Sequence, residues 1–365
     1  MKKLPKSHRP FTDKYFLRAN EILKKEGINP TVMYQVFVRK GPGIVDGLEE
    51  AVEIIDTYSP KFRQNGGKIY SLCDGDHFES CEPLMHIEGK VQDILELETM
   101  YLGVISAATT LANGGSMPDL KQVTANAKKI SDLAGERPCS YFGARHWHWS
   151  LDKAINKAAF EGGFVSTSTD IGAELIGQKG MGTTPHALIL SMGNTVDAIK
   201  AFDKHIDSSV PRIILIDTFN KEIGDALESA HALEGRLYGV RIDTCGENIP
   251  ETCNAYRGNN GRDPSYKTGK GVTIEIARHM RNALRGTGHH YAKIVLSSGF
   301  GNPEKIKAFN EAEEKLGIRL YDALGVGGLY EARFATSDIV RIDGKNFAKK
   351  GRGYKANPKL QEVYT

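Results

Sequence analysis

Paired cysteines, long apolar runs and charge of one sign are all scarce in this chain, and each scarcity removes a class of protein. The five cysteines, Cys73, Cys81, Cys139, Cys245 and Cys253, are odd in number and lack C-x-x-C spacing, which argues against a disulfide framework or a zinc ribbon. They are expected to be free thiols in a reducing compartment. Cys73 and Cys81 lie near His77 and His86, but without the spacing of a metal motif, so the cluster is read as incidental. No apolar run approaches the roughly 20 residues that a membrane helix needs. Met1 to Phe16 carries Lys, Arg and His where a signal peptide would be apolar. A cytoplasmic protein without a membrane partner is expected. Lys plus Arg number 48 against 45 Asp plus Glu, so the net charge of +3 gives no electrostatic reason to expect nucleic acid. Any anion it binds must be held locally.

What is present is a chain of 365 residues, 40% hydrophobic, long enough for one large or two medium domains. Its first part is mixed. A polar helix spans about Tyr15 to Lys25, strands are expected at Thr31 to Val38 and Gly67 to Leu72, and Lys90 to Asn113 reads as a six-turn helix stopped by Gly114. A second helix, about Asp119 to Ala134, leads to Pro138. From Cys139 onward short apolar runs recur: Cys139 to Gly143, Gly163 to Val165, Ala187 to Leu190, Arg212 to Ile216, Leu237 to Ile242, Ala292 to Leu296 and Leu320 to Leu324. Most are followed by a helical pattern, the alternation of βα units on a parallel sheet. One helix is well marked, with Asn302 as N-cap, Pro303 at its first position and Gly317 closing it. Seven such units in about 200 residues suit a closed barrel better than an open sheet.

In such a fold the strand ends face one side, and here they carry the polar residues. Asp217 and Thr218, Asp243 and Thr244, Ser297-Ser298-Gly299, and Gly325 with Gly327 and Gly328 each follow an apolar run. The last two ends have the character of a phosphate cradle, because glycines let backbone N–H groups approach an anion and the helix after Asn302 adds its dipole. Tight turns alone would use the same glycines. Asp217 and Asp243 could bind a sugar diol, orient magnesium or face a cationic intermediate, while Arg241, two residues from Asp243, could equally form a structural ion pair with it. His186, in Gly182-Thr183-Thr184-Pro185-His186, lies in a loop entering an apolar run and is placed at the pocket, as nucleophile, acid/base or donor. In Arg145-His146-Trp147-His148-Trp149 the alternation favours packing and cation–π contacts over a two-histidine metal site. The tail Lys345 to Lys355 is basic and could close over a polyphosphate. Gly246 to Lys270, too long for an ordinary connection, is either a lid or an insertion, and its departure from the Asp243 strand end favours a lid.

These residues resemble a known family. Thr12-Asp13-Lys14-Tyr15-Phe16, Phe37-Val38-Arg39, Glu82-Pro83-Leu84 with Ile87-Glu88-Gly89, Leu97-Glu98-Thr99, Phe142-Gly143-Ala144-Arg145, Gly182 to Ile189, Ile216-Asp217-Thr218-Phe219, Gly239 to Thr244 and Ser298-Gly299 occur in the order found in nicotinate phosphoribosyltransferases. That family belongs to the group that includes nicotinamide and quinolinate phosphoribosyltransferases. The resemblance covers almost the whole chain. It implies an α/β fold: an N-terminal α+β sandwich (1–115) completed by the C-terminal segment (336–365), beside an irregular α/β, TIM-like barrel (116–335). It also implies a homodimer or higher assembly with shared active sites.

By matching motif, Phe142 resembles one wall of a pyridine slot and Tyr15, from the other subunit, the opposite wall. Arg145 and Arg241 resemble the cations around the substrate carboxylate, with Thr183 and Ser168 among the substrate-binding positions. Ser168 stands where nicotinamide-using relatives carry an aspartate, which favours an acid substrate. Asp217 and Asp243 fall where the family handles the ribose, and Ser298, Gly299, Gly327 and Gly328 at the 5′-phosphate. Arg39, across the interface, and Lys350 with Arg352 resemble the residues that meet pyrophosphate. His186 matches a histidine that ATP phosphorylates in many members.

The implied reaction joins nicotinate to phosphoribosyl pyrophosphate, giving nicotinate mononucleotide and pyrophosphate for NAD biosynthesis. Mg2+ would accompany the pyrophosphate or ATP, with no protein side chains singled out as metal ligands, and ATP is expected as co-substrate. Nicotinamide or quinolinate as the pyridine remains open. A sugar-phosphate aldolase or isomerase would need a lysine or carboxylate base at a strand end, and no strand-end lysine stands out. A non-catalytic phosphate or pyridine-nucleotide sensor on the same fold is a further alternative.

Overall fold

The computed structural model describes residues 3–364. Thr31–Val38 is the central strand of a six-stranded antiparallel sheet. Its sequence is β-branched and aromatic, and seven of its eight residues are buried, as expected for a strand covered on both faces. Pro83–Lys90 pairs along one edge and Ala335–Ile342 along the other, so Val36 lies opposite Met85 and Ser337. Lys345–Asn346 and the pair Lys68–Ser71 and Gln361–Glu362 complete the sheet. The last part of the chain therefore returns to strands formed by the first hundred residues.

The predicted helix over 90–113 is interrupted. Val91–Ile94 is followed by a 3-10 turn at Leu95–Leu97 and then by Glu98–Ala112, with Gly114 at φ +74° beyond its end. By length and composition Val91–Ala112 would suffice to cross a membrane, but most of it is buried inside the protein, as in a core helix.

The second sheet is parallel, six-stranded and curled into a half-barrel, in the order Ser166–Thr167, Cys139–Tyr141, Ala323–Val326, Lys293–Leu296, Gly239–Ile242, Ile213–Leu215. The expectation that Ala187 to Leu190 forms a strand is corrected: His186–Met192 is a helix, closed by Gly193 at φ +86°. Its residues 187–190 are all buried, so the short run carries no 3.6-residue periodicity to distinguish it from a strand. The extended segment 181–184 bridges the outer strands instead. Met181 N–H donates to the Thr167 carbonyl at 2.7 Å, and Thr184 Oγ1 accepts from Leu215 N–H at 3.0 Å. Two other strands lie a few residues later than expected, at Ser166–Thr167 and Ala323–Val326.

The helix Pro303–Leu316 forms as its punctuation dictates. Asn302 Oδ1 accepts from Glu304 N–H at 3.0 Å, and Gly317 adopts φ +63°, where a side chain would be strained.

Candidate functional site

The C-terminal ends of the parallel strands open into a cavity of about 970 Å³. Tyr15, Arg39, Phe142, Arg145, His186, Arg241, Asp243, Ser298, Gly299, Gly327, Gly328 and Arg352 all line it, together with Arg262, Tyr266, Lys270 and neighbours from the long connection. Parallel strands deliver their ends to one side, and the first helix, the antiparallel sheet and the tail close the cavity with Tyr15, Arg39 and Arg352.

A continuous line of contacts runs along the wall. The Arg241 guanidinium lies 5.9 Å from the Phe142 ring centroid, and its Nη1 donates to Thr183 Oγ1 at 2.8 Å. Arg241 Nη2 is 3.6 Å from Asp243 Oδ2, while Asp243 Oδ1 accepts from Ser297 Oγ at 2.8 Å. Burial would raise the Asp243 carboxyl, but Arg241 and Lys349 outweigh it and hold its pKa below the ordinary range. Ser298 and Gly299 follow in left-handed conformations, φ +66° and +87°. The Phe142 ring rests on Gly325, where an added Cβ would come within 2.5 Å of the ring.

Arg145 is fixed by the N-terminal segment. Its Nη1 donates to the Tyr15 hydroxyl at 2.6 Å and to Asp13 Oδ2 at 3.2 Å, and Tyr15 donates to the same carboxylate at 3.0 Å. Nearby Glu98 also faces the cavity, and burial pushes its carboxyl up to about 8 although Arg145 opposes the shift. His146 donates from Nδ1 to the Gly327 carbonyl at 3.1 Å and stacks on Phe334 at 4.1 Å. Burial, then Arg145, push its pKa down to about 3, so the ring is neutral.

Four expected site residues stand elsewhere. Asp217 is wholly buried behind the wall, and Lys349 Nζ reaches its Oδ2 at 2.5 Å. Lys350 is not on the wall; its backbone N–H donates to the Thr218 carbonyl, and Lys349 takes the inward position instead. Thr183 is buried under Arg241 and positions that guanidinium. Ser168 is buried off the cavity, one residue past the short strand, its carbonyl accepting from Lys14 N–H at 2.7 Å. Tyr15 and Arg39, which the resemblance places on a neighbouring subunit, line this chain's own cavity.

Lys349 belongs to the basic tail but is not singled out within it by the sequence, and its ammonium is tightly held. Besides Asp217, its Nζ donates to the Asp243 carbonyl at 3.1 Å and to His186 Nε2 at 2.7 Å. Burial works against its charge, but Asp217 and Asp243 outweigh it and raise its pKa. His186 Nε2 must therefore accept, which leaves Nδ1–H to donate to Thr218 Oγ1 at 2.9 Å. Burial and Lys349 hold His186 well below its usual range, as a neutral imidazole with its Nε2 lone pair directed at the ammonium. Glu247 joins Arg39 (3.0 Å) and Arg352 (3.1 Å), and Arg352 also meets Asp338 at 3.1 Å. Among the described residues no group of three or more His, Cys, Asp or Glu side chains is placed to hold a metal ion.

The chain is similar to known proteins in sequence and in fold. Residues 13–109 match the family described as Quinolinate phosphoribosyl transferase, N-terminal domain. A nicotinate phosphoribosyltransferase of Bacillus subtilis is 23% identical over 270 residues, 64% of this chain and 51% of that protein. The chain thus spans about half the length of the curated relatives it matches. A nicotinate-nucleotide pyrophosphorylase from Pyrococcus furiosus is 30% identical, covering 100% of this chain and 86% of that one, at a TM-score of 0.47. The nicotinate phosphoribosyltransferase structure from Porphyromonas gingivalis shares the fold at a TM-score of 0.62, with 15% identity, covering 93% of this chain and 92% of that one. The chain belongs to the type II phosphoribosyltransferase family, the group of nicotinate and quinolinate phosphoribosyltransferases.

Proposed function

We propose that the protein is a nicotinate phosphoribosyltransferase, joining nicotinate to C1 of phosphoribosyl pyrophosphate and releasing pyrophosphate, in NAD biosynthesis. One observation carries the reading: a single line links the aromatic face of Phe142, the guanidinium of Arg241, the carboxylate of Asp243 and Ser297, which leads directly into the Ser298–Gly299 turn. A flat acid, a sugar carbon gaining positive charge and a phosphate require those groups in that order.

Nicotinate stacks on Phe142, with its carboxylate toward Arg145 and Arg241. The pyridine nitrogen is already a nucleophile, so positioning contributes more than proton removal. Asp243, kept ionised by Arg241 and Lys349, faces the sugar as its bond to the leaving pyrophosphate lengthens. Arg39, Lys349 and Arg352 receive the pyrophosphate. Magnesium, when bound, neutralises part of the leaving group's charge, and the Asp243 carboxylate on the cavity wall is the hard oxygen donor that fits it. His186 is the residue for ATP coupling: its Nε2 carries the lone pair, and Lys349 must release it before it can accept a phosphoryl group. A homodimer, in the cytoplasm, completes the proposal.

Product formation tests this reading. The protein is incubated with phosphoribosyl pyrophosphate and magnesium, with nicotinate, nicotinamide or quinolinate in parallel, each with and without ATP, and mononucleotide is separated by chromatography. Product from nicotinate, increased by ATP and no longer increased in His186→Ala, is the expected result. Product from another pyridine alone would change the substrate. Binding of phosphoribosyl pyrophosphate without product from any pyridine would make the protein a sensor.

A further inference from the structure

Lys305 is a buried cation with no carboxylate at ion-pair distance among the described residues. It occupies the third position of the helix Pro303–Leu316, is 6% exposed, and lines the cavity beside the Ser298–Gly299 turn. Other buried cations here are paired: Arg281 with Asp322 at 2.5 Å, Arg212 with Asp203 at 2.8 Å, Lys349 with Asp217 at 2.5 Å. Lys305 Nζ instead donates to the Ser298 carbonyl at 3.0 Å and lies 4.4 Å from the Phe300 ring centroid. A carbonyl and a ring face orient an ammonium without neutralising it, and an uncompensated buried charge is costly.

The turn that supplies this carbonyl is itself unusual. Ser298 adopts φ +66°, uncommon for a residue with a side chain, and this left-handed pair directs the carbonyl at the lysine. At Gly299 an added Cβ would stand 3.5 Å from Nζ, so the glycine leaves the ground between turn and ammonium open. The charged and aromatic groups facing Nζ are Asp243 on its strand end, and Arg262 with the Tyr266 ring (5.9 Å) on the long connection. Burial, reinforced by Arg262 and opposed by Asp243, pulls the ammonium down to about 7.

We propose that Lys305 is the cation that binds the 5′-phosphate of phosphoribosyl pyrophosphate, the monoester settling beside Gly299 and replacing the Ser298 carbonyl as the ammonium's main partner. The inference rests on the phosphoribosyl-transfer reading, which supplies the monoester.

The test is titration calorimetry of Lys305→Met and Lys305→Arg with phosphoribosyl pyrophosphate and magnesium, with inorganic pyrophosphate as control ligand. Losing a charge-assisted bond should weaken phosphoribosyl pyrophosphate binding by roughly 10- to 100-fold in Lys305→Met, with partial recovery in Lys305→Arg. Pyrophosphate binding should be unchanged in both. A purely structural lysine would predict a lowered melting temperature with wild-type affinity in the folded variant, and that result would overturn the proposal. If wild type forms mononucleotide and Lys305→Met does so with an unaltered KM for phosphoribosyl pyrophosphate, the proposal fails while the reaction stands. If wild type neither binds nor turns over phosphoribosyl pyrophosphate, both fail together.

Discussion

Phe142 and Lys349 make opposite demands on their surroundings, and each gives a prediction. The Phe142 ring is held flat because Gly325 has no side chain, so Gly325→Ala must push the ring from the place the pyridine would share. Stacking contributes about 0.5–1.5 kcal/mol beyond area burial, so Gly325→Ala and Phe142→Ala should each raise the KM for nicotinate by about an order of magnitude. The KM for phosphoribosyl pyrophosphate should stay within a factor of about two, and steady-state kinetics with each substrate varied checks the split. Lys349 is the only positive partner of the fully buried Asp217 at bonding distance among the described residues. Lys349→Met leaves that carboxylate uncompensated and should cost about 3–5 kcal/mol of stability, read by denaturant unfolding. Adding Asp217→Asn should recover most of the stability but none of the pyrophosphate affinity, because the lost cation is not replaced.

At the scale of elements, the connection from Gly246 to Lys270 competes with the substrate. Glu247 at its start holds Arg39 and Arg352 together, occupying both guanidiniums that face the cavity from the antiparallel sheet and the tail. Glu247→Gln should free Arg39, leave Arg352 with Asp338 alone, and tighten pyrophosphate binding by roughly 3- to 10-fold, with a steeper salt dependence, measured by calorimetry at two ionic strengths. How far such elements could be read in advance depended on whether they carry local punctuation. The helix after Asn302 was legible because cap, proline and glycine all lie within it, and the strand ends at Asp243, Ser298 and Gly327 because apolar runs stop there. The helix at His186–Met192 was not, since a short, wholly buried run has the same pattern as a strand. Lys349 and Lys350 are adjacent in a tail without periodicity, and only the docking of that tail against Thr218 decides which one points inward. Lys305 had no sequence signal at all, because a lysine on the first turn of a helix is ordinarily solvated.

For the molecule as a whole, folding buries several carboxylic acids whose charged form is disfavoured inside. Burial raises Glu98 to about 8, and Asp152 and Glu222 each to about 7. A raised folded pKa means that below about pH 4.5 both folded and unfolded chains hold the proton and nothing is lost. As the pH climbs from there to about 8, the unfolded chain releases a proton that folded Glu98 keeps, so stability falls across that window and levels off above it. Other groups run the opposite way: Asp322, lowered by Arg281 against its burial, stabilises the fold at neutral pH and loses that contribution only in acid. The two sets separate along the pH axis, which lets one substitution be read cleanly. Glu98→Gln cannot ionise, so its melting temperature should gain on wild type steadily between pH 5 and 8, reaching a difference of a few kcal/mol in unfolding free energy at the top of the window. Scanning calorimetry of both proteins across that range provides the measurement, and parallel curves would mean that Glu98 is already ionised in the folded protein. A charged Glu98 beside Arg145 would also compete with the carboxylate of an acid substrate. The same substitution should then leave the KM for nicotinate unchanged if Glu98 is neutral, and lower it at pH 7 if it is not.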